Sequence, residues 1–223
     1  MAGSGDRPIA GRGVRVIAPF GPRWRARRWV SGRSGWGHDR GGQFEERDFP
    51  AAVGGVGRLA ARDVPRLLGI DDWLASFRAS TQHVLAVDAT STRRRLAERF
   101  AAAGTSAPPL VHPRAGVGSE CRLGMGAVVC AGLDISTNVT RGAHVHVNLG
   151  ATVGHDSVLA NYVSVNPAAT VSGECTVGVG ALLGAASIVL QGLTVAAGST
   201  VGAGAGVVCD VPVGVIVKGV PAR

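Results

Sequence analysis

Aliphatic residues recur at every sixth position through the second half of the chain. From Val117 to Val207 in steps of six, fifteen of the sixteen positions hold Val, Leu or Ile, and only Arg141 interrupts the series. An α-helix would repeat every 3.6 residues and an ordinary strand every two. A period of six without slippage over about ninety residues predicts a β-helix built from hexapeptides.

A second column of mostly small residues lies four places after each aliphatic position, running from Cys121 to Ala205. Each hexapeptide is expected to form one short strand and a turn, and three successive hexapeptides are expected to form one triangular coil. Stacked coils at a strand spacing of ~4.8 Å pair every backbone with its neighbours. The sixteen hexapeptides predict five coils and one further side, with the aliphatic column filling the interior.

The residues ahead of the repeat follow a different pattern. Residues 14–18 and 83–87 are predicted as strands, and residues 71–77 and 92–103 as helices, the second closed by Gly104. We expect a mainly β protein in which a small, degenerate α/β domain precedes the β-helix. The predicted divisions are a basic leader that can belong to a first βα unit (1–42), the α/β domain (43–109), the β-helix (110–212) and a tail (213–223).

The positive charge is confined to the leader. The net charge is +8, and residues 1–40 hold nine Arg against two Asp. An Arg- and Trp-rich segment can contact phosphates and stack on bases. Because the rest of the chain is nearly balanced, we interpret the leader as a basic extension and expect no nucleic-acid partner.

No apolar run reaches the roughly 18–20 residues that span a bilayer. The first residues also lack the apolar stretch of a secretory signal, so we expect a cytoplasmic protein with no membrane contact. The four cysteines, at 121, 130, 175 and 209, match no zinc or disulfide spacing and are expected to be free thiols.

Short motifs stand at fixed places along the chain: His-Val-Asn at 146–148, Gly-His-Asp at 154–156, Asn-Pro-Ala-Ala at 166–169, Val-Ser-Gly at 171–173 and Lys-Gly-Val-Pro-Ala-Arg at 218–223. With the order of the domains, they resemble the bacterial sialic acid O-acetyltransferase and nucleotide-aminosugar N-acetyltransferase family of hexapeptide-repeat acyltransferases. The resemblance implies a left-handed parallel β-helix, a homotrimer and acetyl-CoA as co-substrate without a metal. It also implies transfer of an acetyl group to an amine or hydroxyl of an amino sugar, sugar nucleotide or other sugar-containing metabolite.

Acyl transfer needs a base for the attacking group and a donor for the oxygen that becomes an oxyanion. The resemblance assigns these roles to His155, with Asp156 raising its basicity, and to the backbone N–H of Gly173. Gly173 follows His155 by three hexapeptides, which places it one coil above at the same corner.

The period and the resemblance also mark the sites of both substrates. Asn148 and Asn166 are likewise separated by three hexapeptides and either form an asparagine ladder or, with His146, bind the acceptor. By resemblance, the CoA-binding residues are Ser164, Ala185 and Ala203, and Lys218 and Arg223 meet the CoA phosphates.

Two other functions remain open from the sequence. His144, His146 and His155 could supply three imidazole ligands for zinc across a trimer interface, on the scaffold that γ-class carbonic anhydrases use. Alternatively, the chain could be a trimeric β-helix scaffold without catalysis.

Overall fold

The computed structural model describes residues 14–17, 52–53, 67–68 and 82–223. Within these ranges the chain forms 22 β-strands and one α-helix. No helix in this part of the chain is both long and apolar enough to cross a membrane. The predicted helix at 71–77 and the Arg- and Trp-rich stretch of the leader lie outside the described residues.

A four-stranded parallel sheet forms from the front of the chain. Its strands are β1 (Val14–Ile17), β2 (Ala52–Val53), β3 (Leu67–Leu68) and β4 (Gln82–Leu85), in the spatial order β3-β2-β1-β4. Strand β1 lies between β2 and β4 and pairs in parallel with both. Residues 14–17 of the leader thus form an inner strand of this sheet.

Helix α1 (Thr90–Ala102) follows this sheet. Its buried residues, Arg93, Leu96, Ala97 and Phe100, recur three and four positions apart and therefore lie on one face. The chain leaves the helix at Gly104, whose φ of +77° suits glycine. The helix begins two residues before its predicted start and ends one residue before its predicted end.

Eighteen two-residue strands follow, one for each side of a coil. They are β5 (Leu110–Val111), β6 (Gly116–Val117), β7 (Arg122–Leu123), β8 (Val128–Val129), β9 (Asp134–Ile135), β10 (Thr140–Arg141), β11 (His146–Val147), β12 (Thr152–Val153), β13 (Val158–Leu159), β14 (Ser164–Val165), β15 (Thr170–Val171), β16 (Thr176–Val177), β17 (Leu182–Leu183), β18 (Ile188–Val189), β19 (Thr194–Val195), β20 (Thr200–Val201), β21 (Gly206–Val207) and β22 (Ile216–Val217).

The strands stack into three parallel sheets of five, seven and six strands that form the sides of a prism. From β5 to β21, strands that pair are three hexapeptides apart, as His146 and Ser164 are. The aliphatic column fills the interior, where residues such as Val147, Leu159 and Val165 are fully buried. The predicted left-handed parallel β-helix is therefore confirmed.

The C-terminal residues continue this β-helix beyond the predicted boundary at 212. Strand β22 pairs with β20, and the carbonyls of Val215 and Val217 accept hydrogen bonds from Thr200 and Gly202. After β22, the backbones of Lys218 and Arg223 exchange two hydrogen bonds of 2.9 and 3.0 Å. The expected tail is thus held against the last coil.

Arg141, the exception in the aliphatic series, keeps its place in the interior column. Its side chain is 2% exposed and stacks between the levels of Leu123 and Leu159. None of its three guanidinium nitrogens has a hydrogen-bond partner among the described residues. Burial lowers the pKa of Arg141, as expected for a cation taken from water into an apolar prism.

Candidate active site at a corner of the β-helix

His155 and Asp156 form the corner that follows strand β12. The carboxylate Oδ2 of Asp156 lies 2.8 Å from His155 Nδ1, and both side chains are 48% exposed. On the coil below, Asn138 Nδ2 donates a 2.7 Å hydrogen bond to the other carboxylate oxygen, Oδ1. The corner therefore carries a chain of three polar side chains that ends at an accessible imidazole.

The hydrogen bond from Asn138 and then that from His155 lower the pKa of Asp156. Hydrogen bonds donated to a carboxylate favour its ionised form. The Asp156 side chain is thus an anion beside Nδ1 at neutral pH, where it favours a proton on that nitrogen and leaves Nε2 with its lone pair.

Gly173 lies directly above His155, as the three-hexapeptide period predicts. A β carbon built on Gly173 would come within 2.6 Å of His155 Nε2 and 2.8 Å of Cε1. Among the described residues, the Gly173 amide donates to no backbone carbonyl, although its carbonyl accepts from Gly192. The Gly173 amide thus has no backbone acceptor at the corner where His155 Nε2 lies, which suits an oxygen that gains negative charge during acyl transfer.

A second corner carries four of the five residues assigned to CoA. Ala185 and Ala203 are exposed there, on successive coils. A β carbon on Gly202 would lie 3.0 Å from Lys218 Cγ, so the lysine side chain continues this corner beyond Ala203. Through its backbone pairing with Lys218, Arg223 ends on the same side. Small side chains followed by two cations fit a long ligand with phosphates at one end.

Ser164, the fifth of these residues, is covered by Arg93. Its side chain is fully buried, and its Oγ accepts a 2.9 Å hydrogen bond from Arg93 Nη2. The same nitrogen donates to the carbonyl of Tyr162 at 2.7 Å. Further subunits could only bury Ser164 more deeply, so the structure assigns it to the contact between α1 and the β-helix.

His146 also belongs to this contact and not to the His155 corner. Its side chain is 8% exposed and hydrogen-bonds the backbone of Leu85, and burial, with the charge of Arg93, lowers its pKa to about 3. Burial and, to a smaller extent, His144 lower the pKa of His83 to about 4. The buried cluster of His83, His144 and His146 is therefore neutral at physiological pH.

His144 and His146 do not lie on one strand, because only His146 belongs to β11. His144 has a φ of +54° and lies at a corner, where its ring stacks on Tyr162 with centroids 5.5 Å apart. Among the described residues, no three His, Cys, Asp or Glu side chains are placed to hold a metal ion. The zinc interpretation therefore has no geometric support within the described part of a single subunit.

Asn148 and Asn166 form a ladder across two coils. Asn148 Nδ2 donates to Asn166 Oδ1 at 3.4 Å, and the Cys130 thiol lies 3.9 Å below Asn148 Oδ1. Both asparagines are half-buried. The structure therefore contains the ladder, and binding of the acceptor by these amides stays a prediction.

The sequence did not reveal two residues: Asn138 at the His155 corner, and Arg93 in the contact between α1 and the β-helix. Asn138 is three hexapeptides before Asp156, so the period that linked His155 to Gly173 could have identified it. Arg93 stands in a run of three arginines, and only the helical spacing of Leu96 and Phe100 marks it as the inward-facing one.

Comparison with known proteins agrees with this geometry. The acetyltransferase domain of PglB from Neisseria gonorrhoeae FA1090 is 32% identical and superposes with a TM-score of 0.71 over 78% of this chain and 97% of that domain. PerB from Caulobacter crescentus, solved with CoA and GDP-perosamine, is 30% identical, with a TM-score of 0.69 over 78% of this chain and 95% of PerB. The PglB domain in complex with acetyl coenzyme A is 27% identical and superposes with a TM-score of 0.73 over 96% and 99%.

A curated relative, GDP-perosamine N-acetyltransferase of Escherichia coli O157:H7, is 31% identical over 81 residues. That match spans 36% of this chain and 37% of the relative. No protein family model matches the chain. The near-complete coverage of the PglB domain at 32% identity, on a β-helix with a polar His155 corner, shows the relationship. The chain belongs to the hexapeptide-repeat family of sugar acyltransferases.

Proposed function

We propose that this protein transfers the acetyl group of acetyl-CoA to an amine or hydroxyl of a sugar nucleotide or related sugar, with His155 as general base. The observation that carries the proposal is the 2.8 Å contact between His155 Nδ1 and Asp156 Oδ2. It leaves Nε2, beside Gly173, to take the proton of the attacking group. A positioned base of this kind contributes roughly 10²–10⁴-fold to a rate.

Gly173 has the complementary role. Its N–H, at the same corner as the imidazole, would donate a hydrogen bond to the thioester oxygen as negative charge develops there. An alanine at this position would meet the His155 ring, so glycine allows the base and the donor to share one corner. Fixed donors aimed at developing charge are worth about 10²–10³-fold.

Acetyl-CoA is the acyl donor and supplies the acetyl group as a thioester. PerB binds CoA, and the PglB domain binds acetyl coenzyme A. In this chain, the corner of Ala185 and Ala203 suits the pantetheine arm because no large side chain covers its backbone. Lys218 and Arg223, at the end of that corner, suit the phosphates.

The relatives suggest the chemical class of the acceptor. PerB is solved with GDP-perosamine, and the E. coli relative is a GDP-perosamine N-acetyltransferase. We propose an amino sugar linked to a nucleotide as the first candidate, and hydroxyl-bearing sugars as the second. The half-buried ladder of Asn148 and Asn166 offers amides that could bind it.

The active form is proposed to be a homotrimer. Outward-facing Ile188, Leu190 and Val208 are 47%, 48% and 51% exposed on one side of the prism. A second prism packed there would bury this apolar surface and create a cleft for CoA between subunits.

The decisive experiment measures CoA release with 5,5′-dithiobis(2-nitrobenzoate) while acetyl-CoA is offered with a panel of amino-sugar nucleotides, sialic acids and free amino sugars. Acceptor-dependent CoA release by the wild type, lost in His155→Ala, would support the proposal. Acetyl-CoA binding without turnover on any acceptor would favour a non-catalytic scaffold, and full activity in a folded His155→Ala would reject His155 as the base.

A further inference from the structure

Asn138 lies one coil below Asp156 and has no part in the chemistry proposed above. Its Nδ2 donates a 2.7 Å hydrogen bond to Asp156 Oδ1, while Asp156 Oδ2 faces His155 Nδ1 at 2.8 Å. The two oxygens of one carboxylate are thus held by different partners, one on each side.

This division matters because Asp156 is exposed. A carboxylate that is 48% accessible on a corner rotates readily about its last torsion, which has a broad energy profile. A second partner at Oδ1 fixes that rotation and keeps Oδ2 directed at the imidazole. With Nδ1 held as a donor, the neutral ring keeps its lone pair on Nε2.

We propose that Asn138 is a positioning residue: through Asp156, it holds the neutral His155 ring in the Nδ1–H tautomer, with Nε2 free to take a proton. The catalytic consequence rests on the proposed function, whereas the effect on the tautomer does not. Asn138 itself touches neither the imidazole nor, in the proposed mechanism, a substrate.

A backbone role is the competing explanation. Asn138 has a φ of +54°, in the left-handed region that asparagine tolerates better than most residues. Glycine tolerates this region at least as well. Asn138→Gly therefore removes the side chain while keeping the corner, and it separates the two explanations without endangering the fold.

Asn138→Asp gives an independent second variant. It keeps the shape and the tolerance of positive φ but replaces the donor with a carboxylate facing Asp156. Two like charges in contact raise the pKa of one of them and drive the side chains apart. Glu120→Gly is the matched control: Glu120 lies at the same corner one coil below Asn138, with a φ of +59°.

The test combines two measurements on the full chain. Long-range ¹H–¹⁵N correlation spectra report the tautomer and titration of each imidazole, with His155 assigned by its absence in His155→Ala. Steady-state kinetics report kcat and the KM for acetyl-CoA. In Asn138→Gly we expect loss of the dominant Nδ1–H tautomer and a kcat lower by about 10–100-fold, the scale on which outer-shell hydrogen bonds act at histidine sites. The KM should stay unchanged.

Asn138→Asp should lose at least as much kcat, and Glu120→Gly should match the wild type in both measurements. An unchanged tautomer in Asn138→Gly would overturn the proposal, whether or not kcat falls. If the tautomer depends on Asn138 but the wild type acetylates no acceptor, the positioning role is supported and the proposed function is rejected. Failure of the positioning role and failure of the proposed function are therefore distinguishable.

Discussion

The imidazole of His155 lies against the α carbon of Gly173, one coil above, so closely that a β carbon on the glycine would stand 2.6 Å from Nε2. Gly173 is not in the left-handed region of backbone space, where ten other glycines of the described chain lie. The space occupied by the His155 ring, and not the backbone conformation, therefore requires glycine here.

Gly173→Ala should consequently separate stability from activity. The clashing atoms belong to the end of a flexible side chain, so the ring can rotate away while the backbone stays in place. We expect an unchanged melting temperature and a kcat lower by at least tenfold, because the base is displaced by about an ångström or more. Circular dichroism melting and CoA-release kinetics measure the two effects.

Gly206→Ala is the matched control for that substitution. A β carbon there would meet only the Val220 side chain, at an ordinary 3.4 Å. It should leave kcat unchanged. A Gly173→Ala enzyme as active as this control would show that His155 does not need its observed position.

His155→Ala should lower kcat by roughly 10²–10⁴-fold while leaving the fold and acetyl-CoA affinity intact, since the residue lies outside the interior column. Asp156→Asn should cost less, because it removes a charge but leaves the base in place. Kinetics and isothermal titration with acetyl-CoA measure both variants. Equal losses in the two variants would mean that Asp156 does more than assist His155.

The acid limb of the activity profile should not report the carboxylate of Asp156. Hydrogen bonds from Asn138 and His155 lower the pKa of Asp156, so this group stays ionised well into the acid range. A general base works only when unprotonated, and activity should therefore fall with a slope of one as the imidazole gains its proton. A slope of two in a plot of log kcat against pH would show that a second group must also lose its proton.

Arg93→Met should weaken the contact between the small domain and the β-helix. The Arg93 side chain donates to the carbonyls of Val87 and Tyr162 and to Ser164 Oγ, and its loss leaves these buried acceptors without the donor. We expect this contact to be weakened by about 1–3 kcal/mol. Hydrogen exchange should show α1 exposed while the β-helix stays protected.

Arg94→Met is the control on the same helix. Arg94 is 61% exposed and pairs with Glu98 one turn along. Such exposed pairs contribute little to stability. Similar exchange patterns in the two variants would contradict the anchoring role of Arg93.

Acid should destabilise the contact between the small domain and the β-helix, because His83 and His146 are buried there. The pKa of His83 is lowered to about 4 and that of His146 to about 3, whereas an unfolded histidine has a pKa of about 6.5. Below pH 6.5 these histidines are therefore protonated in the unfolded state but stay neutral in the folded state. Stability should be greatest above pH 6.5 and fall from there towards pH 4, by at most about 1.4 kcal/mol per pH unit for each histidine.

Urea unfolding at pH 7 and pH 5 measures this dependence. The double variant His83→Asn/His146→Asn places an amide nitrogen or oxygen where each Nδ1 stood but cannot titrate. Its stability should change much less between the two pH values. A wild type equally stable at both would show that these imidazoles are not buried when the protein is folded.

The β-helix was predictable from the sequence to within a few residues because its period is set by covalent spacing. The same period located Gly173 above His155 and could have located Asn138 below Asp156. The small domain was less predictable. Its strands β2 and β3 are two residues long, and their pairing with β1 depends on contacts distant in sequence.

Ser164 shows what the resemblance did not predict and why. Its hexapeptide position was correct, but the guanidinium that covers it comes from Arg93, 71 residues earlier. Periodicity within the β-helix carries no information about what packs on its outer face. Arg141 shows the opposite case: the column position predicted the interior correctly even for a charged side chain.

The three-hexapeptide period also restricts how the gene for this protein can change in length. A duplication of one hexapeptide would turn every later side chain onto the neighbouring face, whereas a duplication of three keeps each face in register. A coil added beyond residue 174 would lengthen the corner along which Ala185 and Ala203 lie. The same coil added between Asn138 and Gly173 would divide the catalytic corner. Homologues should therefore differ by whole coils, and differ outside that interval.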